Sequence, residues 1–230
     1  ATSGGQIHDT GTLENTDTLL DVYDVIKAPN KQHLHFVKVK YGVVHVGDEL
    51  ICKLDKERRN NISRNHSCTH LLQKALQVVL GNDVHQEGSS NNEDYLRFDF
   101  NYDQKISYEQ LKEIENLVNE YIAQDLPCEI QYLSKEEAMK LDAIHLFNEK
   151  YGDVVRVVKF GDVSQEFCAG AHVKSTAKIG VFSISYEESI ASGVRRIEGK
   201  TSLKAYQQLK SKDDILNDLD ILLKCGNPNE

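Results

Sequence analysis

Two short segments, about 100 residues apart, constrain this chain more than any other feature of it. The first is an H-x-x-x-H pattern from His66 to His70, and the second is a C-x-x-x-H pattern from Cys168 to His172. Three imidazoles and one thiolate form a common ligand set for Zn²⁺, which accepts nitrogen and sulfur donors in a tetrahedron. Residues four apart on a helix share one face, so one helix can present His66 and His70 to the same ion. The pattern therefore predicts a zinc site with all four residues near the metal. It leaves open which of them bind tightly, because a catalytic zinc normally has three protein ligands and one open position.

The first pair lies in a segment that is predicted to be an amphipathic helix from Ser63 to Leu80. At about 100° per residue its apolar side chains form a single stripe, and Gly81 is typical of a helix end. His66 and His70 fall roughly opposite the centre of that stripe. Taken alone, the pair could be one interior and one surface histidine. The distant C-x-x-x-H segment favours a shared metal instead.

Cysteine usage and composition indicate the compartment. Five cysteines occur at scattered positions of the 230-residue chain, an odd number without the spacing of a disulfide framework. No apolar run approaches the roughly 18 residues of a membrane span, and the N-terminal residues lack the apolar core of a signal peptide. We therefore expect a cytoplasmic protein, with no membrane partner, in which a cysteine serves as a metal ligand.

The charge balance limits how the chain can hold a nucleic acid. The net charge is −9 and the pI is about 5.5, whereas binding by bulk electrostatics needs a basic protein. Any RNA contact must rest on local basic groups, and solvated surface charge is the alternative explanation for them. The candidate RNA-binding residues are Arg58, Arg59, Arg64, Arg195 and Arg196. The last two are neighbours on a predicted strand, so we expect one to reach solvent and the other to pair with a carboxylate, Glu198 or Asp99.

The order of the predicted elements indicates an α+β fold. Three short β-rich segments joined by turn residues suggest a small N-terminal β-barrel, residues 1–57. An α/β core with a zinc cleft, residues 58–200, and a C-terminal linker helix, residues 201–230, follow. Further strands are predicted near residues 95–100, 129–133, 154–160, 179–185 and 193–198, with helices capped at Ser107 and Ser134 and a closing helix over 202–224.

Five motifs in a fixed order resemble a known family. They are the segments Asn65–Leu72, Gln86–Ser89, Leu96–Phe100, Cys168–Val173 and Gly193–Glu198, preceded by an opening segment Ser3–Gln6. This order resembles the editing region of alanyl-tRNA synthetases, and the resemblance covers nearly the whole chain. The chain departs from the family at Ala169 and Ala171, where glycine and threonine are usual.

The resemblance implies a function, a cofactor and partners. It implies hydrolysis of tRNA(Ala) wrongly charged with serine or glycine, by a Zn²⁺-bearing core that is shared with threonyl-tRNA synthetases and free-standing editing proteins. The expected partners are the acceptor end of tRNA(Ala) and the remaining domains of the synthetase. No aminoacylation domain precedes Ser3, so we interpret the chain as an editing fragment whose last helix begins a linker.

Two polar residues are predicted to line the pocket beside the zinc. The Thr69 hydroxyl can hydrogen-bond the side chain of serine, and Gln86 is the second candidate catalytic residue. Two other functions remain open: a structural, zinc-bearing tRNA-binding module without catalysis, and a metallohydrolase for another substrate. The second is weakened because the histidine helix has no H-E-x-x-H pattern.

Overall fold

The computed structural model describes residues 1–141, 143–144 and 152–223, which form eleven strands, four α-helices and a short 3₁₀ helix. The strands are β1 (Gly11–Glu14), β2 (Leu19–Lys27), β3 (His33–Tyr41), β4 (Ile51–Leu54), β5 (Gln86–Asn91), β6 (Leu96–Asn101), β7 (Cys128–Ser134), β8 (Val154–Phe160), β9 (Ser164–Phe167), β10 (Phe182–Ala191) and β11 (Val194–Thr201). The helices are α1 (Lys56–Leu80), α2 (Tyr108–Ala123), α3 (Lys135–Ala138) and α4 (Ser202–Leu223), with the 3₁₀ turn at Thr176–Ile179.

The N-terminal strands form an antiparallel sheet in the order β3-β2-β1-β4. This sheet is open, because β3 and β4 lie at its two edges and are not paired with each other. The prediction of a closed barrel was therefore wrong, although its three predicted strands correspond to β2, β3 and β4. Alternation along a strand shows which face is buried, but closure depends on the pairing of edge strands that are far apart in sequence.

A second antiparallel sheet, in the order β10-β11-β6-β5, packs against α1 and α2, and the main hydrophobic core lies between the sheet and these helices. The apolar stripe of α1 faces this core, as its spacing predicts, and strands β6 and β11 bring large side chains to the same layer. The largest fully buried residues include Leu71, Leu72, Leu76, Leu96, Phe98, Phe100, Ile114, Phe182 and Ile197.

A third, smaller sheet in the order β7-β8-β9 carries the second half of the predicted metal site. Strand β9 ends at Phe167, one residue before Cys168, and leads into the loop that contains His172. Strand β9 also contacts α1. The C-x-x-x-H loop is therefore held against the helix that carries His66 and His70.

Local capping patterns predicted the helix starts correctly where they were present. Ser107 with Gln110 and Ser134 with Glu137 both form capping boxes, at the N-termini of α2 and α3. Helix α1 begins earlier than predicted, at Lys56, because Asp55 accepts a hydrogen bond from the Arg58 backbone and acts as its N-cap.

The closing helix exists over Ser202–Leu223, and its predicted end at Lys224 lies outside the described residues. Its apolar side chains were predicted to make packing contacts, and this was wrong: Leu203 is 71% exposed and Leu222 is 75% exposed. Ala205 is the one buried residue of the helix in the part described. None of the described helices combines the length and the apolar character that crossing a bilayer requires.

Candidate metal centre

The middle of α1 places His66 and His70 in the interior. Both side chains are buried, at 5% and 3% relative exposure. The side of α1 that lies opposite the apolar stripe is covered by β9 and by the loop that follows it, so it is not a solvent face. A helix that is buried on both sides can carry polar groups inward only if they find partners or a metal.

The loop after β9 brings the other two predicted ligands to the histidines. Cys168 Sγ lies 3.3 Å from His66 Nε2 and 3.2 Å from His172 Nε2. One donor atom from each of His66, His70, Cys168 and His172 lies within 4.8 Å of the other three. Adjacent donors around a tetrahedral zinc are separated by roughly 3.5 Å, given Zn–N and Zn–S bonds of about 2.0–2.3 Å. The four residues that the sequence predicted are therefore brought together at a spacing that suits such an ion.

Hydrogen bonds orient two of the imidazoles. His66 Nδ1 donates to Gln6 Oε1 at 3.0 Å, and the same oxygen accepts the Ala171 backbone N–H at 2.7 Å. His172 Nδ1 lies 3.1 Å from Ser67 Oγ, which also accepts the Val173 backbone N–H at 3.1 Å. Because His66 Nδ1 is the donor, His66 Nε2 faces Cys168 Sγ with its lone pair available, and Nε2 of His172 faces the same sulfur. Such outer hydrogen bonds fix the tautomer of a metal-binding histidine.

Gly170 allows the loop to approach the helix closely. A Cβ atom at this position would overlap the imidazole of His66 and would lie 2.9 Å from Gln6 Oε1. A side chain at position 170 would therefore displace the ring of one ligand. The glycine between Cys168 and His172 is required by this contact.

Burial keeps the three imidazoles neutral. Desolvation, followed by the neighbouring His70 and Arg156, lowers the pKa of His66 to about 3. Desolvation followed by Arg156 lowers the pKa of His70 to about 3, and burial and the two other histidines shift the pKa of His172 in the same direction. Neutral imidazoles bind metal through their lone pairs, so the donor set fits Zn²⁺ at neutral pH. One polar atom of the cluster, His70 Nδ1, is buried and has no hydrogen-bond partner among the described residues.

The structure adds two charged residues that the sequence patterns did not indicate. Arg156 on β8 donates from Nη1 to the backbone oxygens of Cys168, at 2.6 Å, and Gly170, at 2.9 Å. Glu166 on β9 has Oε2 at 3.7 Å from His70 Nε2, while its Oε1 accepts the Ser164 hydroxyl at 3.0 Å. Burial raises the pKa of Glu166 to about 7. The one sequence feature that could have marked Glu166 as a site residue is its position two residues before Cys168.

A cleft of about 190 Å³ opens beside the cluster. Its walls include Thr69 and Gln86, the two pocket residues predicted from the sequence, together with Gln73 and Ser89. The Thr69 hydroxyl lies 3.0 Å from the Asn65 carbonyl oxygen and 2.8 Å from Asn91 Oδ1. Both of these oxygens are acceptors, so the hydroxyl proton is donated to one or the other. Because its single proton is used there, Thr69 can offer only a lone pair to a molecule in the cleft.

Four of the five candidate RNA-binding arginines are engaged with carboxylates. Arg58 Nε lies 2.9 Å from Glu93, Arg59 pairs with Asp9, Arg195 pairs with Glu187, and Arg196 makes two bonds to Asp99 at 2.7 and 2.8 Å. The prediction that one of the neighbours 195 and 196 pairs with Asp99 is confirmed. The prediction that the other reaches solvent is wrong, because the Arg195 side chain is 12% exposed.

Arg64, the fifth candidate, is bonded to neutral groups. Its Nε donates to the Lys178 backbone oxygen at 3.0 Å and its Nη1 to Asn61 Oδ1 at 2.6 Å. Neither partner carries a negative charge. Within residues 1–141, 143–144 and 152–223 it forms no ion pair, so its charge is not neutralised locally.

Two family models match parts of the chain. The model for the threonyl and alanyl tRNA synthetase second additional domain matches residues 155–198, which contain the C-x-x-x-H loop. The model for class II (A) tRNA synthetases matches residues 1–58. Similar proteins include the alanine–tRNA ligase of Thermoanaerobacter pseudethanolicus, at 47% identity over 225 residues, or 98% of this chain. The chain is a relative of alanine–tRNA ligases.

Two further alanine–tRNA ligases match over the same extent. That of Thermotoga maritima is 44% identical over 223 residues, and that of Listeria monocytogenes serotype 4b is 45% identical over 224 residues, each covering 97% of this chain. The chain spans about a quarter of the length of these ligases, since the matched part is 26% of each. The match thus corresponds to one segment of a larger synthetase.

Proposed function

We propose that this chain is an editing hydrolase that deacylates tRNA(Ala) carrying serine or glycine in place of alanine. The observation that carries the proposal is a cluster of four donors, two buried and two partly buried, in a relative of alanine–tRNA ligases; three of the four, His66, His70 and Cys168, line a cleft. The match of residues 155–198 to an additional domain of threonyl and alanyl synthetases supports the same assignment. A purely structural zinc module has no need of a cleft beside its metal.

The reaction is the hydrolysis of an activated ester. The oxygen of water bonds to the acyl carbon, the bond from that carbon to the ribose oxygen breaks, and the ribose oxygen gains a proton. The products are the free amino acid and the tRNA. His66, His70, Cys168 and His172 would hold the zinc, which when bound supplies a Lewis acid beside the ester. Gln6, Ser67 and Arg156 keep the ligands and their loop in place.

Thr69 and Gln86 are proposed to contact the amino-acid side chain. Both line the cleft, and Asn91 fixes the orientation of the Thr69 hydroxyl. A serine hydroxyl can donate to the free lone pair of Thr69, whereas the methyl group of alanine cannot. A site built for a hydroxyl disfavours the analogue that lacks it, because a buried polar group is then left unpaired.

The deciding experiment compares the deacylation of Ser-tRNA(Ala) and Ala-tRNA(Ala) by the purified chain. We expect zinc-dependent release of serine, with alanine released more slowly. Cys168→Ala is expected to lose both zinc and activity, while Cys52→Ala, at an exposed cysteine on β4, keeps both. Bound zinc without hydrolysis of either ester would favour the structural tRNA-binding module instead.

The pocket residues are tested in the same assay. Thr69→Val or Gln86→His is expected to lower the rate on Ser-tRNA(Ala) by roughly threefold to tenfold, the effect of one neutral hydrogen bond of about 0.5–1.5 kcal/mol, with unchanged zinc content. Gln131→His, on the exposed part of β7, serves as the matched control. Unchanged rates in both pocket variants would place the amino-acid side chain elsewhere.

A further inference from the structure

Glu166 is a partly buried carboxylate beside the predicted metal ligand His70. Its side chain is 14% exposed, and it contacts His70 at 3.7 Å and Ser164 at 3.0 Å. In the part of the chain that the structure describes, no lysine or arginine forms an ion pair with it. A buried carboxylate is costly unless a cation or several donors compensate it. The position therefore suits a positively charged group in the cleft.

The cleft beside Glu166 otherwise favours negative charge. Of the described residues that line it, Glu166 alone carries a carboxylate. A Zn²⁺ bound by one thiolate and three neutral imidazoles leaves a net charge of about +1 on the cluster, and Arg156 adds a second positive charge nearby. This environment suits the oxyanion that develops during ester hydrolysis. It repels a cation unless a carboxylate lies at the place where the cation binds.

An aminoacyl ester brings such a cation with it. Its α-ammonium nitrogen is two bonds from the carbonyl carbon that water attacks. The group that binds the ammonium must therefore lie in the wall next to the metal ligands. Glu166 is two residues before Cys168 and beside His70, on the cleft wall.

We propose that the Glu166 carboxylate binds the α-ammonium group of the aminoacyl ester and so selects esters of α-amino acids. The inference rests on the proposed editing function and names the part of the substrate that this residue recognises. The Ser164 hydroxyl donates to Oε1 of the carboxylate and positions it, while His70 Nε2 lies 3.7 Å from Oε2. The ammonium neutralises a partly buried carboxylate with which no lysine or arginine of the described residues forms an ion pair.

The test uses two esters that differ only at the α position. One is Ser-tRNA(Ala), and the other is its α-hydroxy analogue, made by deamination with nitrous acid, in which a neutral hydroxyl replaces the ammonium. Each is hydrolysed by the wild-type chain, by Glu166→Gln and by Glu129→Gln, a control at an exposed position on β7. Zinc content is measured for all three proteins, because a loss of zinc identifies damage to the His70 ligand.

We expect Glu166→Gln to lower kcat/KM for Ser-tRNA(Ala) by about tenfold or more, as is typical of a lost charged hydrogen bond. Its kcat/KM for the hydroxy ester should change less than about threefold, with zinc content equal to that of the wild type. Equal losses on both esters would overturn the inference, since Glu166 would then act on His70 or on water. No loss on either ester would overturn it as well. If the wild-type chain hydrolyses neither ester, the proposed function fails, and the inference fails with it.

Discussion

A methyl group at position 170 would occupy the space of the His66 imidazole. The two nearest atoms to a Cβ there belong to that ring, and Gln6 Oε1 follows at 2.9 Å. Gly170→Ala must therefore displace the loop or rotate His66 away from Cys168. Changes in the surroundings of metal ligands typically lower metal affinity by about 10–100-fold, and we expect an effect of this size. The measurement is competition for Zn²⁺ with a chromophoric chelator.

Gly152→Ala provides the control for that variant. A Cβ at Gly152 meets no atom of the described residues within 4 Å, and its backbone conformation is not one that is reserved for glycine. Its zinc affinity should match that of the wild type. Equal affinity in the position-170 variant would mean that the loop can retreat without disturbing His66, and that the close contact is dispensable.

Residues of the metal centre differ in how far the sequence predicts them. His66, His70, Cys168 and His172 are found by spacing, because donor type and helical periodicity depend only on local sequence. Three other residues reach the same centre: Gln6 from the N-terminal segment, Arg156 from β8 and Glu166 from β9. A glutamine or an arginine has no spacing rule that marks it as a partner of a distant histidine. Their roles follow from tertiary contacts alone.

At the scale of the elements, Asn65 connects the part of α1 that carries the histidines to the sheet formed by β10, β11, β6 and β5. Its Nδ2 donates to the Asn92 backbone oxygen at 2.8 Å, and its Oδ1 accepts the Thr201 hydroxyl at 2.7 Å. The residue is 1% exposed, so Asn65→Ala leaves two buried groups without partners. Each unpaired group costs about 1–3 kcal/mol, and we expect the free energy of unfolding to fall by about 2–4 kcal/mol.

Urea denaturation measures this loss, with Asn116→Ala as the control. Asn116 is exposed on α2, and alanine there should change the free energy of unfolding by no more than about 0.5 kcal/mol. A loss in Asn65→Ala as small as that of the control would show that water or a shifted side chain satisfies both partners.

Helices and strands were predicted correctly where they depend on residues close in sequence, and wrongly where they depend on distant ones. The capping boxes of α2 and α3 were predicted correctly because each joins residues three apart. The N-terminal barrel was wrong because closure depends on how edge strands pair across the sheet. The apolar positions of α4 were expected to pack, yet a helical pattern does not specify the surface that covers it. The boundaries proposed at residues 57 and 200 stay predictions.

At the scale of the whole molecule, the chain is acidic and uses most of its candidate RNA-binding arginines internally. The net charge is −9, and Arg58, Arg59, Arg195 and Arg196 are each paired with a carboxylate. Their substitution would leave buried or half-buried carboxylates unpaired. A fall in tRNA affinity in such a variant would then mix lost stability with lost contacts. These four positions are therefore poor tests of RNA binding.

Arg64 is the arginine among the five whose charge is free to meet a phosphate. It is bonded to a backbone oxygen and an amide, and it lies two residues before His66, which places it about 200° around α1 from that ligand. A contact there would therefore be with the tRNA backbone and not with the terminal aminoacyl group. We expect Arg64→Ala to weaken tRNA binding and to reduce the slope of log affinity against log salt concentration by about one phosphate contact, while kcat for a bound ester is unchanged.

Lys112→Ala, an equal loss of charge at an exposed site on α2, should leave the slope as it is. If both variants have the same slope as the wild type, Arg64 makes no phosphate contact, and the proposal that it binds the tRNA backbone fails.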